Sequence, residues 1–387
     1  MDYNATTPVD SEVLGAITAS LTGAWGNPSS SHEAGLAAKS IIDEARENVA
    51  RMVGAKTSDI VFTSGGTEYF HKSHDRQNGV DFSKGDNTDS LPHFITSNLE
   101  HDSVKLVLEH FAEEGLAKVS FVPASQTTGC VEVEDIVSSI RPTTCMITVM
   151  LANNETGVIQ PIKEICERVQ QINANRRNQP PILLHTDAAQ AIGKINVDVL
   201  DLDVDYLTIV GHKFYAPRNG AIYVRNLEEK GAPLYPMLYG GGQERNYRPG
   251  TENTAMIAGL GKAAELVVQN LDKYQKHMEE VRDHLEVRLM EEFGDNIHFN
   301  GKFDTSSRLP NTCDKVLSKC NIVQASVGAA CHSQNRASPI LLAIGVPDSI
   351  ARNALRLSVG RETTLSDIDF VISDLKQAVQ YLQNQAT

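Results

Sequence analysis

Short apolar and β-branched runs alternate along the chain with segments in which apolar residues recur at steps of three and four. The short runs predict β-strands, and the longer segments predict amphipathic helices over Ser103–Glu114, Val133–Ile140 and Ile162–Asn173. Alternation of this kind predicts an α/β fold with a mostly parallel, doubly wound sheet. Its seven strands are predicted over Asp59–Thr63, His93–Ser97, Val119–Val122, Met146–Leu151, Ile182–Thr186, Tyr206–Val210 and Ala221–Val224.

The C-terminal part of the chain has a different pattern. Thr254–Phe293 contains almost no glycine or proline and keeps helical spacing, which predicts one or two long helices. Ala354–Val359 predicts a strand, and Thr364 with Asp367 forms a capping pattern before a last helix. We therefore predict a large domain over residues 10–255 and a smaller α/β domain over residues 1–9 and 256–387, which includes the long helix.

Composition and charge narrow the class of protein. The 387 residues are 41% hydrophobic and 22% charged, which is typical of a globular protein large enough for two domains. Lys and Arg number 35 against 49 Asp and Glu, so the formal net charge is -14. This balance argues against nucleic acid or an anionic membrane as a partner. The longest apolar run, Cys145–Ala152, is too short to span a bilayer.

Targeting patterns and metal-ligand patterns are both missing from the sequence. The first residues are polar and resemble neither a signal peptide nor a transit peptide, so a cytosolic location is expected. The six cysteines are dispersed, with no C-x-x-C pair and no histidine at zinc spacing. We therefore expect reduced thiols, no disulfide framework and no metal site.

A lysine follows one of the predicted strands. Lys213 comes after Tyr206–Val210 and before Pro217 and Gly220, so it is expected at the carboxyl end of a strand. Ligands bind at this edge in open α/β sheets. A partly desolvated lysine can lose its proton and form a Schiff base with a carbonyl compound. The alternative is a solvated surface lysine, which is more common.

Two further strand ends carry polar groups. Asp187 follows one predicted strand, and Gln190 comes three residues later. A carboxylate in this place could keep a pyridine nitrogen protonated, as pyridoxal phosphate (PLP) requires, or it could cap the next helix. Gly66 and Thr67 follow another strand and offer backbone N–H groups and a hydroxyl suited to a phosphate.

A histidine and an asparagine follow two more strands. His101 could stack on a planar ring, although a single histidine is more often structural, and Asn154 could bind substrate or cofactor or belong to an ordinary turn. In total, five strands end in polar groups that include a lysine, a carboxylate, a phosphate loop and a stackable ring. Because parallel strands present their carboxyl ends at one edge, these groups predict a common site.

The second predicted domain contributes a thiol and a guanidinium. Cys331 lies among small residues beside His332, which favours a reactive thiolate; the alternative is a buried free cysteine. Arg356 lies inside an apolar strand, where an unpaired guanidinium would be costly. We expect a carboxylate partner for it, either a structural acid or the carboxylate of an amino-acid substrate.

Together these motifs resemble the cysteine desulfurase group of the class V aminotransferases, which have PLP fold type I. The resemblance extends over essentially the whole chain, and it implies a homodimer that binds PLP through a Schiff base to Lys213. Four further segments match the family pattern: Asp2–Pro8, Gly26–Ser30, Gly240–Asn246 and Arg248–Thr254.

The resemblance also implies roles around the cofactor. Asp187 would contact the pyridine nitrogen, Gln190 the phenolate oxygen, and His101 would stack on the ring. Thr251 would reach the phosphate from the other subunit. The implied catalytic residues are Lys213, Cys331 and His101. The implied cofactor-binding residues are Gly66, Thr67, His101, Asp187, Gln190, His212, Lys213 and Thr251.

Within this group the sequence is similar to the selenium-selective branch. Asp102 stands where desulfurases usually carry a basic residue, and His332 follows Cys331. This implies cleavage of L-selenocysteine into L-alanine and reduced selenium, with Cys331 attacking the selenium atom and a selenium-accepting protein as an expected partner. The implied substrate-binding residues are Asn154, Arg356 and Asp102. The runner-up function is a cysteine desulfurase that delivers persulfide sulfur.

The sequence departs from the family pattern at two junctions. After Glu68 the helix that the family carries is missing, and at Cys313–Asp314 a segment of the smaller domain, with its strand, is expected to be missing. Losing the N-terminal amides of a helix would weaken phosphate binding. A further alternative is therefore a catalytically impaired, truncated isoform.

Overall fold

The computed structural model of the chain describes residues 1–68, 91–177, 179–303, 312–316, 323–326, 337–352 and 354–386. Its strands are β1 Ile60–Thr63, β2 His93–Ser97, β3 Lys118–Val122, β4 Thr144–Thr148, β5 Leu183–Asp187, β6 Tyr206–Val210, β7 Gly220–Val224, β8 Thr312–Val316 and β9 Ala354–Ser358. The first seven form one sheet in the order β1-β7-β6-β5-β4-β2-β3, and the last two form a second sheet. In the large sheet β7 is antiparallel to both neighbours, and the remaining pairs are parallel.

All seven predicted strands are present, so the predicted mostly parallel α/β sheet is confirmed. The largest difference concerns β4, which was expected over Met146–Leu151 but begins at Thr144 and ends at Thr148. The amides of Val149 and Leu151 still donate to backbone carbonyls of β5. The apolar run therefore continues beyond the regular strand because its last residues stay buried beside β5.

Both faces of the large sheet are covered. In β1, Ile60 and Phe62 belong to one hydrophobic cluster and Val61 belongs to another. In β2, Ile95 and Phe94 are divided in the same way. Successive residues of a strand point to opposite faces, so burial on both sides requires apolar residues at nearly every position. This explains why the strands are continuous apolar runs.

The helices of the described chain surround this sheet and continue beyond it. They are α1 Ser11–Gly23, α2 Glu33–Met52, α3 Asp102–Glu113, α4 Val133–Ser138, α5 Ile162–Asn173, α6 Val199–Leu202, α7 Thr254–Phe293, α8 Pro339–Ala343, α9 Asp348–Ala351 and α10 Leu365–Ala386. The predicted helices match α3, α4 and α5 to within two residues. The capping pattern before α10 is also confirmed, because Thr364 Oγ1 and Asp367 exchange hydrogen bonds.

A single 40-residue helix, α7, links two hydrophobic cores. Its first half packs against α1 and α2 and belongs to the cluster on one face of the large sheet. In its second half, Leu285 and Leu289 pack with Leu357 of β9 and Ile372 of α10. The long helix is thus confirmed, whereas the domain bounds of 10–255, 1–9 and 256–387 stay a prediction.

The second junction lies inside a strand. β8 pairs antiparallel with β9, with Cys313 opposite Leu357 and Asp314 opposite Arg356. The expectation that a strand is missing here is therefore wrong, because the residues that remain on either side of the junction complete the pairing with β9. The first junction is followed by residues 69–90, which lie outside the described residues, so the predicted loss of a helix there stays a prediction.

No helix in the described ranges is long and apolar enough to cross a membrane. Those ranges also hold no group of three or more His, Cys, Asp and Glu side chains that could bind a metal ion. Cys130, Cys145 and Cys166 are free thiols. Burial raises the pKa of Cys130 to about 11 and that of Cys145 to about 12, so both are protonated at neutral pH.

Candidate active site

A cavity of about 490 Å³ opens at the carboxyl ends of the sheet strands. Its size is within the range of small-molecule sites. Strands β1, β2, β4, β5 and β6 each contribute residues that follow their last position, as the sequence predicted. Nine of the predicted site residues line it: Gly66, Thr67, His101, Asn154, Asp187, Gln190, His212, Lys213 and Arg356.

Lys213 ends a short 3₁₀ turn that directly follows β6. Its Nζ donates hydrogen bonds to the backbone carbonyls of Asn4, at 2.8 Å, and Ala5, at 2.9 Å. The side chain is half-buried and lies in the cavity wall, so the alternative of a solvated surface lysine is wrong. The N-terminal segment, more than 200 residues away in the sequence, thus holds this amine in place.

Asp187 is the last residue of β5 and is buried. Its Oδ1 accepts a hydrogen bond from the N–H of Ala189 at 2.9 Å. Burial raises the pKa of Asp187 above its ordinary value, while the Ala189 N–H and the nearby charges of His101 and Lys213 oppose that shift. No helix begins directly after it in the described structure, so its alternative role as a helix cap is wrong.

His101 is the N-terminal cap of α3. Its Nδ1 accepts a hydrogen bond from the N–H of Ser103 at 3.2 Å and lies 2.9 Å from that residue's Oγ. A ring nitrogen that accepts from an N–H carries no hydrogen itself, so Nε2 is the ring nitrogen that carries one. Asp102 begins α3 but does not line the cavity, and its predicted contact with substrate stays a prediction.

A buried acid supports the loop that carries His101. Oε1 of Glu100 accepts hydrogen bonds from Ser97 Oγ at 2.5 Å and from the N–H of Met150 at 3.0 Å. Burial raises the pKa of Glu100 to about 8. The side chain therefore joins the end of β2 to the segment after β4 as a mostly protonated acid at neutral pH.

The predicted phosphate loop follows β1. A helical turn begins at Gly66 and includes Thr67, which places backbone N–H groups at the edge of the cavity. A Cβ at Gly66 would lie 2.6 Å from Cγ2 of Val210, so only glycine permits this approach to β6. The N–H of Ser64 donates to Oε2 of Glu68 at 2.6 Å, and a bound phosphate would have to compete with that carboxylate.

His212 lies beside the N-terminal segment. Its Nδ1 is 3.2 Å from Oγ1 of Thr6, and its backbone carbonyl accepts from the N–H of Thr7 at 2.9 Å. Burial, with the positive charge of Lys213 as the next cause, lowers the pKa of His212 to about 4. At neutral pH the ring is therefore uncharged and can offer a phosphate at most one N–H.

Arg356 lies in β9 and is only 4% exposed. Its Nη2 pairs with Oδ1 of Asp2 at 3.0 Å, and its Nη1 donates to the backbone carbonyl of Asn154 at 3.0 Å. Of the two carboxylates expected from the sequence, the structural acid is thus Asp2. The Nε atom is buried without a hydrogen-bond partner among the described residues, so one guanidinium edge retains a donor.

Some predicted residues are not brought to the cavity. Thr251 does not line it, which is compatible with its expected contribution from a second subunit. Cys331 and His332 lie outside the described residues. Sequence reasoning missed Asn4, although it lies in a family-like segment, because its contribution is a backbone carbonyl. It also missed Lys194, whose surroundings carry no local signal.

The residues present fit PLP. The cavity offers a lysine amine for an aldehyde, a buried carboxylate for a pyridinium nitrogen, and N–H groups with a hydroxyl for a phosphate. Oδ1 of Asn219, which also lines the cavity, is buried without a partner among the described residues. A bound molecule with polar groups along its edge would supply hydrogen-bond partners for these side chains. Lys213, Asp187, Gly66 and Thr67 are the residues that would hold it.

Known proteins are similar to this chain in both sequence and fold. A family model described as aminotransferase class-V matches residues 1–371. The chain is 55% identical to the selenocysteine lyase of Bos taurus over 412 aligned positions, covering 100% of this chain and 94% of that protein. It is 37% identical to the cysteine desulfurase IscS of Dictyoglomus turgidum, covering 99% and 95%. The solved structure of a NifS-like protein matches 98% of both chains at 31% identity, with a TM-score of 0.84. The sequence resemblance is confirmed, and the chain belongs to the class-V aminotransferase family.

Proposed function

We propose that this chain is a PLP-dependent lyase that splits L-selenocysteine into L-alanine and reduced selenium. The observation that carries this function is the convergence of Lys213, Asp187 and Arg356 on one cavity, because an amino-acid substrate on PLP needs an amine, a buried carboxylate and a guanidinium. The preference for selenium over sulfur is supported by the 55% identity to a relative that is named for this activity.

The cofactor-binding residues have separate tasks. When bound, PLP supplies an aldehyde for the amino group of the substrate and an electron-poor ring that stabilises negative charge on its carbon skeleton. Asp187 would keep the ring nitrogen protonated, and His101 would stack on the ring. Gly66, Thr67 and His212 would hold the phosphate, and Gln190 would donate to the phenolate oxygen.

The substrate is oriented by its carboxylate. The unpartnered Nε of Arg356 and the side chain of Asn154 bind this group, and the ion pair of Nη2 with Asp2 keeps the guanidinium in place. The amine of Lys213 becomes free when the amino group of the substrate takes its place at the aldehyde. It then takes the proton from Cα of the substrate and later returns a proton to the carbon skeleton. The two carbonyls of residues 4 and 5 hold that amine between these steps.

Cys331 removes the selenium atom. Its thiolate attacks selenium, so a sulfur–selenium bond forms while the selenium–carbon bond breaks and leaves its electron pair on the carbon skeleton. A proton on that carbon completes alanine. Selenium then remains on the cysteine as –S–SeH. Two equivalents of a thiol release it as selenide and are oxidised to a disulfide, or the thiolate of a selenium-accepting protein attacks the selenium, takes it over at the same oxidation state and frees the Cys331 thiolate.

The working enzyme is a homodimer in this proposal. Thr251 lies near the surface outside the cavity, and a second copy of the chain would bring it to the phosphate end of the neighbouring site. Sedimentation equilibrium at micromolar concentration should give twice the mass of one chain. A monomer with full PLP content and activity would exclude this role of Thr251. The cytosolic location stays a prediction.

Product analysis of the purified protein tests the function. Incubation with L-selenocysteine and a thiol should release equal amounts of alanine and selenide, with much slower turnover of L-cysteine. Faster release of sulfide from cysteine would favour the desulfurase, for which the 37% identity to IscS is the supporting observation.

A protein without bound PLP and without either activity would favour the impaired isoform. The alignment with the Bos taurus protein has 412 positions for a chain of 387 residues, so at least 25 positions have no residue in this chain. That difference is the observation behind this alternative. An absorption spectrum of the purified protein separates it from both enzymes.

Replacing Cys331 with alanine should abolish selenide release while PLP binding stays within about twofold of the unchanged protein. The reason is that the thiol acts on selenium and has no part in holding the cofactor. Alanine and selenide are measured in the reaction, and PLP is measured by absorbance. Cys130→Ala is the matched control, because that thiol lies outside the cavity and has a raised pKa. Normal turnover of the Cys331 variant would contradict the assignment.

Replacing Asp102 with lysine should raise the turnover of cysteine relative to selenocysteine. A thiol is less acidic than a selenol, and a basic residue beside His101 helps to generate the thiolate that selenocysteine forms unaided. The exchange costs about 0.3–1 kcal/mol of stability, because a positive charge is unfavourable in the first turn of α3. The ratio of the two kcat/KM values is the readout, and an unchanged ratio would exclude Asp102 from substrate selection.

A further inference from the structure

Lys194 is a buried lysine to which the roles proposed above give no task. Only 4% of the residue is exposed, and its amine has no acidic partner among the residues that the structure describes. Burial, together with the positive charges of Lys213, Arg356 and Arg361, lowers the pKa of Lys194 well below its ordinary value. Burying an amine in such surroundings costs free energy, and a residue kept at that cost is expected to have a function.

Both hydrogen bonds of Lys194 go to a single residue. Its Nζ donates to the backbone carbonyl of Gln190 at 2.9 Å and to the side-chain Oε1 of the same residue at 2.9 Å. On the other side of that amide, Nε2 donates to the backbone carbonyl of Asn4 at 2.9 Å. A carbonyl can only accept, so it must face the amide nitrogen, while the amine faces the amide oxygen. Both contacts therefore impose the same orientation on Gln190.

This orientation leaves one N–H group of the Gln190 amide available. The amide nitrogen carries two hydrogens, the carbonyl of Asn4 accepts one, and no described residue accepts the other. Nζ of Lys213 donates to that same carbonyl at 2.8 Å, so the amide nitrogen and the lysine amine meet at one oxygen atom. Both residues line the cavity. The spare N–H therefore suits an acceptor oxygen on a molecule held at Lys213.

We propose that Lys194 is a positioning residue for PLP, which fixes the Gln190 amide so that its spare N–H is available to the phenolate oxygen of the cofactor. This role rests on the proposed function, since it takes the cavity to be the PLP site. Without the amine, Oε1 of Gln190 would lose its donor and the amide could rotate. An amide turned with its oxygen toward the phenolate would repel it instead of donating to it.

A double-mutant cycle tests this role through the affinity for PLP. Lys194→Met keeps the length of the side chain but removes the donor, and titration of the apoprotein with PLP in a calorimeter should give a Kd raised about tenfold, as expected for one lost hydrogen bond. In a Gln190→Ala background, the same replacement should change the Kd less than about twofold. A lysine with a purely structural role would weaken binding by the same factor in both backgrounds.

Two further variants complete the experiment. Lys262→Met is the control, because Lys262 pairs with Glu12 of α1 and Glu265 of α7 and does not line this cavity. The Kd of this variant for PLP should equal that of the unchanged protein. If the methionine variant does not fold, the cycle is repeated with Lys194→Asn, which is polar but two bonds too short to reach the Gln190 oxygen. Unfolding temperatures of the apoproteins identify variants that fail to fold.

The outcomes separate this role from the proposed function. An unchanged Kd in the Lys194 variants, or equal losses in both backgrounds, would overturn the positioning role while PLP binding itself remains. Failure of the unchanged protein to bind PLP in the same titration would contradict the proposed function. A loss that is confined to the background with Gln190 supports the role of Lys194.

Discussion

Replacing Lys213 with alanine should abolish the visible absorption of bound PLP and lower turnover by about 10⁴-fold or more. Lys213 is the one lysine among the described residues that lines the cavity, so none of the other described lysines is placed to take over the aldehyde. The fold should survive, since the hydrogen bonds that Nζ donates to the backbone carbonyls of residues 4 and 5 lie in the cavity wall. Absorbance, turnover and the unfolding temperature are the three measurements.

Lys262→Ala is the control for this variant. Lys262 lies on α7 and pairs with acidic side chains away from the cavity, so its removal should leave absorbance and turnover unchanged. The unfolding temperatures of both variants should lie within about 5 °C of that of the unchanged protein. If the Lys213 variant kept a visible absorption that borohydride could trap on the protein, another residue would hold the cofactor.

Replacing Asp187 with asparagine should lower kcat by about 10²- to 10³-fold while PLP stays attached to the protein. Asparagine keeps an oxygen that can accept from the N–H of Ala189, but it lacks the charge that holds the ring nitrogen protonated. The ring then stabilises negative charge on the substrate less well. The rate of alanine formation and the PLP content of the variant are measured together.

The same variant should change the pH dependence of stability in the apoprotein. Burial raises the pKa of Asp187 in the folded state. Its protonated carboxyl group therefore favours folding below the ordinary carboxyl pKa of about 4, and its charged carboxylate opposes folding as the pH rises. Asp187→Asn removes this opposition. The variant should therefore be more stable than the unchanged apoprotein at pH 7, and that advantage should vanish near pH 4.

Asp205→Asn is the matched control for Asp187. Asp205 is a partly buried acid whose pKa burial raises to about 6, and its Oδ2 accepts from the N–H of Leu184 at 2.8 Å. It directly precedes β6, at the strand end opposite to Lys213, and does not line the cavity. Its replacement should affect stability and leave kcat within about twofold. Equal losses of kcat in the two variants would show that buried charge, and not contact with the cofactor, is responsible.

Much of the fold, and several residues that line the cavity, could be predicted from local patterns. Strands such as β6 are buried on both faces, and this leaves an uninterrupted apolar run in the sequence. Lys213 and Asp187 could be placed because each directly follows such a run, and parallel strands bring their carboxyl ends to one edge. The helix α5 was predicted to the residue, since its apolar face repeats with helical spacing.

The partners of these residues were decided by the tertiary structure. Asp2 meets Arg356 across 354 positions of sequence, and the carbonyl of Asn4 meets Lys213 across 209. Neither contact has a local signature, because a backbone carbonyl is the same in every residue and the guanidinium could have paired with any acid. Lys194 is a similar case, since a lysine is usually exposed and only the folded structure reveals that this one is buried. The sequence by itself thus determined which groups lie at the sheet edge. The packing of the N-terminal segment against β9 and against the turn after β6 determined how Arg356 and Lys213 are held.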